Sequence, residues 1–319
     1  VVTVIYDGNN LAYRSNSVME LSTKDGRRTS AIFGVLNSIP KDINLLKDDY
    51  NILASEIVMV WDYGRNKRRT DLYPEYKGNR HHDQTEEDKQ WYEEFIAQTN
   101  VLHQFLPFLG VKSLKIKGNE ADDLVYCYVK DTLETREDDQ KLIVIISTDE
   151  DFLQLISERV CVFSPIKKVL YTSENFSELF GIPLEYFVGY KILNGDSSDH
   201  IKGIQGIGEK TAKKLVNEYG GLPGVLNSYR ELKKSKVTAR IFTNEGLSLL
   251  DRNNQLINLR EFVDTTEISP EVNEQIELQP FIDNKRVTEF LKEYQLSSLL
   301  VKYKEWVQPY KSVNNRYYD

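Results

Sequence analysis

Leu142-Ile143-Val144-Ile145-Ile146-Ser147-Thr148-Asp149 decides the fold: five apolar residues, mostly β-branched, run into two hydroxyl side chains and an acid. A strand that is apolar on successive residues is buried on both faces, as happens when helices cover a sheet from either side. Two other stretches have the same form. Val2-Thr3-Val4-Ile5-Tyr6 precedes Asp7, and Ile57-Val58-Met59-Val60-Trp61 precedes Asp62. Helical patterns lie between these runs, for example Ala121 to Leu133 just ahead of the third. Alternating strands and helices predict an α/β fold with a mainly parallel sheet and helices on both faces. Ligands in such sheets sit beyond the carboxyl ends of the strands, so Asp7, Asp62 and Asp149 are expected along one edge.

The chain has 319 residues, enough for a main domain and a smaller one. With 40% hydrophobic and 28% charged residues it can build a core and is not disordered as a whole. No apolar run approaches the roughly 18–20 residues that cross a bilayer, and no secretory signal opens the chain. It begins without Met on a strand-like run, so a few leading residues are expected before it. Cys127 and Cys161 are its only cysteines, which argues for a reducing, cytoplasmic setting and against a disulfide scaffold or thiolate zinc site.

The strand–helix alternation fills residues 1–184 but is interrupted between about 64 and 118. That stretch carries Arg65, Lys67, Arg68 and Arg69, then Tyr76-Lys77-Gly78-Asn79-Arg80. Thr85-Glu86-Glu87-Asp88 reads as a helix start with a capping-box acid, and the segment as a helical flap above the sheet edge. Residues 185–260 read as a helical subdomain containing the glycine-rich turn Gly203 to Gly208. Residues 261–319 read as a helical extension with a polar tail.

Acids dominate the candidate chemistry: Asp7, Asp62, Glu120, Asp122, Asp123, Asp149, Asp151, Asp196 and Asp199. Glu120 and Asp123 share a face at the start of a helix, with Asp122 beside them. Asp149 and Asp151 straddle a strand-to-helix turn, and Asp196 and Asp199 are three apart. A single Asp after a strand is ordinarily an N-cap, and it is the joint placement that argues for more. One carboxylate pair about 4 Å apart repels by roughly 4 kcal/mol at an effective dielectric of 20. Several such pairs would rival a net folding stability of roughly 5–15 kcal/mol, so cations are expected among them. An all-oxygen set without His or Cys selects Mg²⁺, with Mn²⁺ as a substitute, and two ions imply the displacement used on phosphodiesters. The net charge of −8 becomes +1 once these nine acids are set aside, so the chain's acidity does not argue against nucleic acid.

Lys77 and Arg80, three apart in the flap, can grip one phosphate from a single helical face and stabilise its charge during reaction. Ile201-Lys-Gly-Ile-Gln-Gly-Ile-Gly-Glu-Lys-Thr-Ala212 nearly matches a phosphate-binding loop, but Glu209 stands where that motif needs Lys. It reads as a hairpin between helices. Gly203, Gly206 and Gly208 let backbone N–H groups approach a phosphate, with Lys202, Lys210, Thr211, Lys213 and Lys214 beside them. Such a contact holds backbone rather than sequence.

Taken as an ordered set, Asp7-Gly8-Asn9-Asn10, Tyr76-Lys77-Gly78-Asn79-Arg80, Gly118 to Asp123, Ser147 to Asp151 and Gly195 to Gly208 resemble the flap endonuclease and 5′-3′ exonuclease family. The likeness covers roughly residues 1–220 and is strongest to the bacteriophage members, including the phage RNase H. It implies a PIN-like core, a helical arch for the flap and a helix-three-turn-helix module for the 185–260 subdomain. It also implies a first metal site of Asp7, Asp62, Glu120 and Asp122. The second would be Asp149, Asp151, Asp196 and Asp199 with a share of Asp122, and Asp123 adjacent. Tyr76 becomes a base-stacking candidate, and the glycine hairpin a candidate for K⁺.

The expected activity is therefore structure-specific 5′ nuclease chemistry on DNA flaps, nicks and forks and on RNA–DNA primers, in replication and repair. A monomer in the cytoplasm, of a host cell if phage-encoded, is expected, with a single-strand-binding protein or a polymerase as candidate recruiters. Two other readings compete: a PIN-type RNA endonuclease, and a catalytically silent DNA-structure binder.

Overall fold

Five parallel strands, β1 (Val2–Asp7), β2 (Glu56–Val60), β3 (Lys112–Leu114), β4 (Leu142–Ile146) and β5 (Val160–Ser164), form a sheet that β6 (Val169–Tyr171) extends antiparallel. Its order is β3-β2-β1-β4-β5-β6 in the computed structural model, which describes residues 1–64, 66–78, 85–134 and 141–316. β1 is central, with Asp7 level with Val60 and Tyr6 level with Ile146, so the acids that follow the three central strands emerge together.

α1 (Gly8–Val18) and α2 (Ser30–Tyr50) follow β1, α3 (Lys67–Leu72) and α4 (Glu86–Phe105) separate β2 from β3, and α5 (Ala121–Glu134) leads into β4. After β6 come α6 (Phe176–Phe180) and α7 (Phe187–Asn194), then a hairpin of β7 (Gly195–Asp196) and β8 (Ile201–Lys202). α8 (Glu209–Tyr219), α9 (Gly221–Asn227), α10 (Tyr229–Leu232), α11 (Asn244–Ile257) and α12 (Leu259–Phe262) follow. The chain closes with α13 (Thr265–Glu277), α14 (Asn284–Glu293), α15 (Ser297–Val301) and α16 (Tyr303–Arg316).

Alternate strand residues feed two cores, which is why the strands read as unbroken apolar runs. Ile5, Val58, Val60, Ile143 and Ile145 pack with α5, α7, α8 and α11 to α13. Val4, Tyr6, Met59, Trp61, Val144 and Ile146 pack with α1, α2, the second half of α4 and α14 to α16.

Two expected boundaries change. The segment from 64 to 118 is not all flap: Phe95, Leu102 and Phe105 of α4 are buried in the core, and β3 is an edge strand paired with β2. A strand of only three residues carries too little pattern to be read from sequence. Residues 261–319 do not form a separate extension either. Val272 of α13 joins one core, while Val287, Leu291, Trp306 and Tyr310 join the other. Trp306 Nε1 and Tyr310 Oη both donate to the buried Leu36 carbonyl, at 2.8 and 3.2 Å. Thr85 and Asp88 do form a reciprocal capping box at the start of α4. Among the described residues no helix is long and apolar enough to cross a membrane.

Candidate active site

Each strand-end acid also accepts from the backbone at the start of a helix. Asp7 caps α1, its Oδ1 accepting from Asn10 N at 3.0 Å while Ser147 Oγ donates to Oδ2 at 3.1 Å. Asp62 Oδ1 accepts from Ala121 N at 2.7 Å and so caps α5 from a distant strand. Asp149 caps the single-turn helix Glu150–Leu155 through Asp151 N at 2.9 Å. Asn9 and Asn10 tie these ends together: Asp62 N donates to Asn9 Oδ1, and Thr148 Oγ1 donates to Asn10 Oδ1.

The field at this edge is strongly negative. Asp7 is pushed up to about 7, first by burial and then by Asp62. Burial also raises Asp62, with Glu120 and Asp122 adding to it against the pull of Lys77. Asp149 is driven well above its ordinary value by burial, Asp151, Asp199 and Asp7. Burial and Asp196 raise Asp151 despite Lys191. These mutual influences place the acids of β1, β2, β4, α5 and the β7–β8 hairpin in one electrostatic neighbourhood.

Internal cations divide the set. Arg69, 1% exposed, spreads its guanidinium over Glu120 (3.2 Å), Asp122 (3.1 Å) and Asp123 (2.8 and 2.9 Å), with the Phe262 ring centroid 4.2 Å away. Lys77 Nζ lies 2.7 Å from Glu120 Oε2 and 3.8 Å from Asp199 Oδ2. Lys191 pairs with Asp151 at 2.9 Å and with Asp196. Burial would raise both Glu120 and Asp196, yet Lys77 with Arg69 holds Glu120 below its ordinary value, and Lys191 holds Asp196 at about 2. Asp7, Asp62 and Asp149 have no side-chain ion pair among the described residues.

Among the described residues no three carboxylate, imidazole or thiolate groups stand ready to hold a metal ion. Arg69, Lys77 and Lys191 occupy oxygens of Glu120, Asp122, Asp123, Asp151 and Asp196. The donor chemistry nevertheless fits hard divalent cations: oxygen ligands only, with Asp7, Asp62, Asp149 and Asp151 kept from ionising easily by burial and by neighbouring carboxylates.

Several expected roles change. Asp123 is fully buried, and its carboxylate is taken up by Arg69, Asn66 Nδ2 and Glu120 N, so it anchors α3 to α5 and does not face a ligand. Tyr76 is not a stacking platform: it is 4% exposed, and its hydroxyl donates toward Glu120 at 2.8 Å and Asp199 at 3.1 Å. An exposed aromatic on α1, Tyr13, stands instead edge-on to Trp91 and Phe95. Arg80 and Arg65 lie outside the described residues.

In the glycine hairpin, a Cβ on Gly203 would fall 2.1 Å from the Asn194 carbonyl, so that glycine serves close backbone packing. Gly206, at φ 88°, makes the turn, and it is exposed together with Gly208, Lys210 and Lys214. Thr211 is half-buried in the first turn of α8, and Lys202 is exposed and pairs with Glu75 at 2.9 Å. Lys213 is turned inward, donating to the Phe180 carbonyl and pairing with Glu209, both at 2.9 Å.

Arg69 and Lys191 are the residues that reading the sequence missed. Arg69 sits in a basic run that looks like a solvated loop. Lys191 could have been noticed as a lone cation among Phe187, Tyr190, Ile192 and Leu193 on a helix that is otherwise apolar.

Two family models match consecutively: "5′-3′ exonuclease, N-terminal resolvase-like domain" over residues 2–181 and "5′-3′ exonuclease, C-terminal SAM fold" over residues 182–281. DNA polymerase I of Caldicellulosiruptor bescii is 34% identical over 239 residues, 73% of this chain and 26% of that protein. DNA polymerase I of Mycobacterium tuberculosis is 32% identical over 264 residues, 80% of this chain and 27% of its own. The chain thus spans about a quarter of the length of these curated relatives. Among solved structures, the T5 D15 protein co-crystallised with metal ions superposes with a TM-score of 0.68 at 25% identity, covering 87% of this chain and 99% of that one. Human GEN1 in complex with Holliday junction DNA shares the fold, with a TM-score of 0.58 at 16% identity over 94% of this chain and 71% of its own.

Proposed function

Because the chain belongs to the 5′-3′ exonuclease family, we propose that it is a divalent-metal-dependent 5′ nuclease that hydrolyses phosphodiesters in DNA with 5′ flaps or nicks, and in RNA–DNA primers. One observation carries the reading: Asp7, Asp62, Asp149 and Asp151 converge at the strand ends with their charged forms opposed by burial and by neighbouring carboxylates. Asp7, Asp62, Glu120 and Asp122 would hold one Mg²⁺ or Mn²⁺. Asp149, Asp151, Asp196 and Asp199 would hold the other, with Lys191 shared between Asp151 and Asp196. Such ions, when bound, supply an activated water and stabilise the leaving oxygen.

The chain's own groups do the rest. Asn10, Ser147 and Ala121 N fix the carboxylates in orientation before substrate arrives. Lys77, at the rim on Glu120, is within a side-chain swing of a phosphate drawn to those acids. The exposed turn at Gly206 and Gly208, with Lys210 and Lys214, would hold duplex backbone, and Tyr13 would meet an unpaired base. A hairpin of this kind supports duplex DNA over the single-stranded RNA of a PIN-type endonuclease.

A 5′-labelled flap duplex titrated with Mg²⁺ tests the reading. Wild type is expected to cut near the flap junction only when metal is present. Asp149→Asn with Asp151→Asn is expected to bind the flap and leave it whole. Cleavage by that variant at the wild-type rate would refute the proposal.

A further inference from the structure

Trp61 follows β2, immediately precedes Asp62 and is fully buried. Its ring fills the gap between strand ends. On the β1 side it lies against the backbone of Gly8, the residue after Asp7: a Cβ there would fall 2.7 Å from Trp61 Cε3 and 2.8 Å from the Val60 carbonyl oxygen. On the β3 side its Nε1 donates to Ser113 Oγ at 2.9 Å, and its backbone N donates to the Leu114 carbonyl at 2.9 Å. The indole thus stands between the segment that carries Asp7 and the edge strand β3, and Asp62 is its chain neighbour.

Ser113 does not act alone. Its Oγ lies 2.8 Å from Nδ1 of His103, near the end of α4. Burial first, and then Lys115, hold His103 below its ordinary value, so its ring is neutral at neutral pH. An indole N–H only donates, which leaves the Ser113 hydroxyl proton for the imidazole. Nδ1 is then the accepting nitrogen, and Nε2 carries the proton. Trp61, Ser113 and His103 form one directed chain of hydrogen bonds from α4 through β3 to the end of β2. Filling the core needs only the ring, whereas the polar chain also fixes its rotation.

We propose that Trp61 is a positioning residue for the metal site, a spacer that sets the separation of Asp7 and Asp62, with Ser113 and His103 locking its indole in place. The inference rests on the nuclease reading and deepens it. Asp7 and Asp62 come from different strands, and Asp7 feels Asp62 more than any other charge. A small hard cation shared by two carboxylates is held only as well as their oxygens are spaced for it.

Titration of the whole chain with Mn²⁺, followed by the electron paramagnetic resonance signal of the free ion, tests it without turnover. Ser113→Ala leaves the indole N–H without its acceptor and should weaken Mn²⁺ binding about tenfold. Ser113→Thr keeps a hydroxyl and should hold the wild-type affinity. His103→Leu should act in the same direction as Ser113→Ala and add little to it, since both cut one chain. On a labelled 5′ flap the alanine variant should lose kcat at low Mn²⁺, keep its KM for the flap, and regain kcat as the metal is raised. A lower thermal midpoint with Mn²⁺ affinity unchanged would mean that the chain serves the core alone, and would overturn the proposal. Failure of the nuclease reading is separately visible, because wild type would then bind no Mn²⁺, and the proposal would fall with it.

Discussion

Asp7→Asn is expected to cost on the order of 10³-fold in metal-dependent cleavage and, in the absence of metal near pH 8, to make the fold more stable. The activity loss follows from removing a carboxylate at the centre of the acid edge, since a bound cation is worth several kcal/mol to the transition state and each 1.36 kcal/mol is tenfold. The stability gain follows from proton linkage. Asp7 stands at about 7 in the folded protein, against about 3.9 for an unfolded aspartate. The folded state therefore binds the proton more tightly, and stability from this group is fully present below about pH 4 and lost as the pH rises through about 7. A gap of this size corresponds to on the order of 4 kcal/mol, an upper figure because neighbouring carboxylates titrate with it. Asn cannot ionise and can still accept from Asn10 N. Thermal unfolding in chelator should show wild type losing stability between about pH 4 and 7 and the variant losing less. Asp196 has the opposite sign: held at about 2 by Lys191 against burial, it stabilises above about pH 4 and that contribution fades only in strong acid. A variant less stable than wild type in chelator at pH 8 would contradict the electrostatic picture.

Arg69→Met is the second large effect, and it concerns stability first. Removing one member of a buried ion network leaves uncompensated charge, at a typical cost of 3–5 kcal/mol. Asp123 is fully buried with Arg69 as its one cation among the described residues, and Glu120, nearly as buried, would keep only Lys77. Methionine fills much of the same channel beside Phe262, so the loss is electrostatic more than steric. A fall in thermal midpoint of roughly 10 °C is expected. Adding Asp123→Asn should recover part of it, because the most deeply buried acid is then neutral. Calorimetry on the two single variants and the double variant measures the coupling. Strict additivity would mean that the two side chains do not sense each other.

The difference between what could be read in the chain and what could not follows from distance along it. Strand runs ending in Asp7, Asp62 and Asp149 carry their own periodicity, and parallel-sheet topology then dictates that the acids meet. Which acids receive an internal cation is a different matter. Glu120 and Arg69 are fifty-one residues apart, and no local pattern joins them. Tyr76 shows the same gap: an aromatic within a basic motif reads as a stacking group, yet its ring is packed inward and its hydroxyl is spent on Glu120 and Asp199. The helices of the last sixty residues are visible from their apolar spacing, but spacing says that a face is buried without saying which surface receives it. Lys213 and Gly203 look like ligand-facing groups by type, and packing around Phe180 and Asn194 has claimed them.

The seat of α16 against α2 has a practical outcome for anyone shortening this polypeptide. The family models stop at residue 281, while Trp306 and Tyr310 share the Leu36 carbonyl well past that limit. A product trimmed at residue 281 would uncover Leu36, Ile39 and Ile43, a greasy strip inviting precipitation. The matched domain limits and the foldable length are therefore separate measures of this molecule, and soluble yield on trimming would tell them apart.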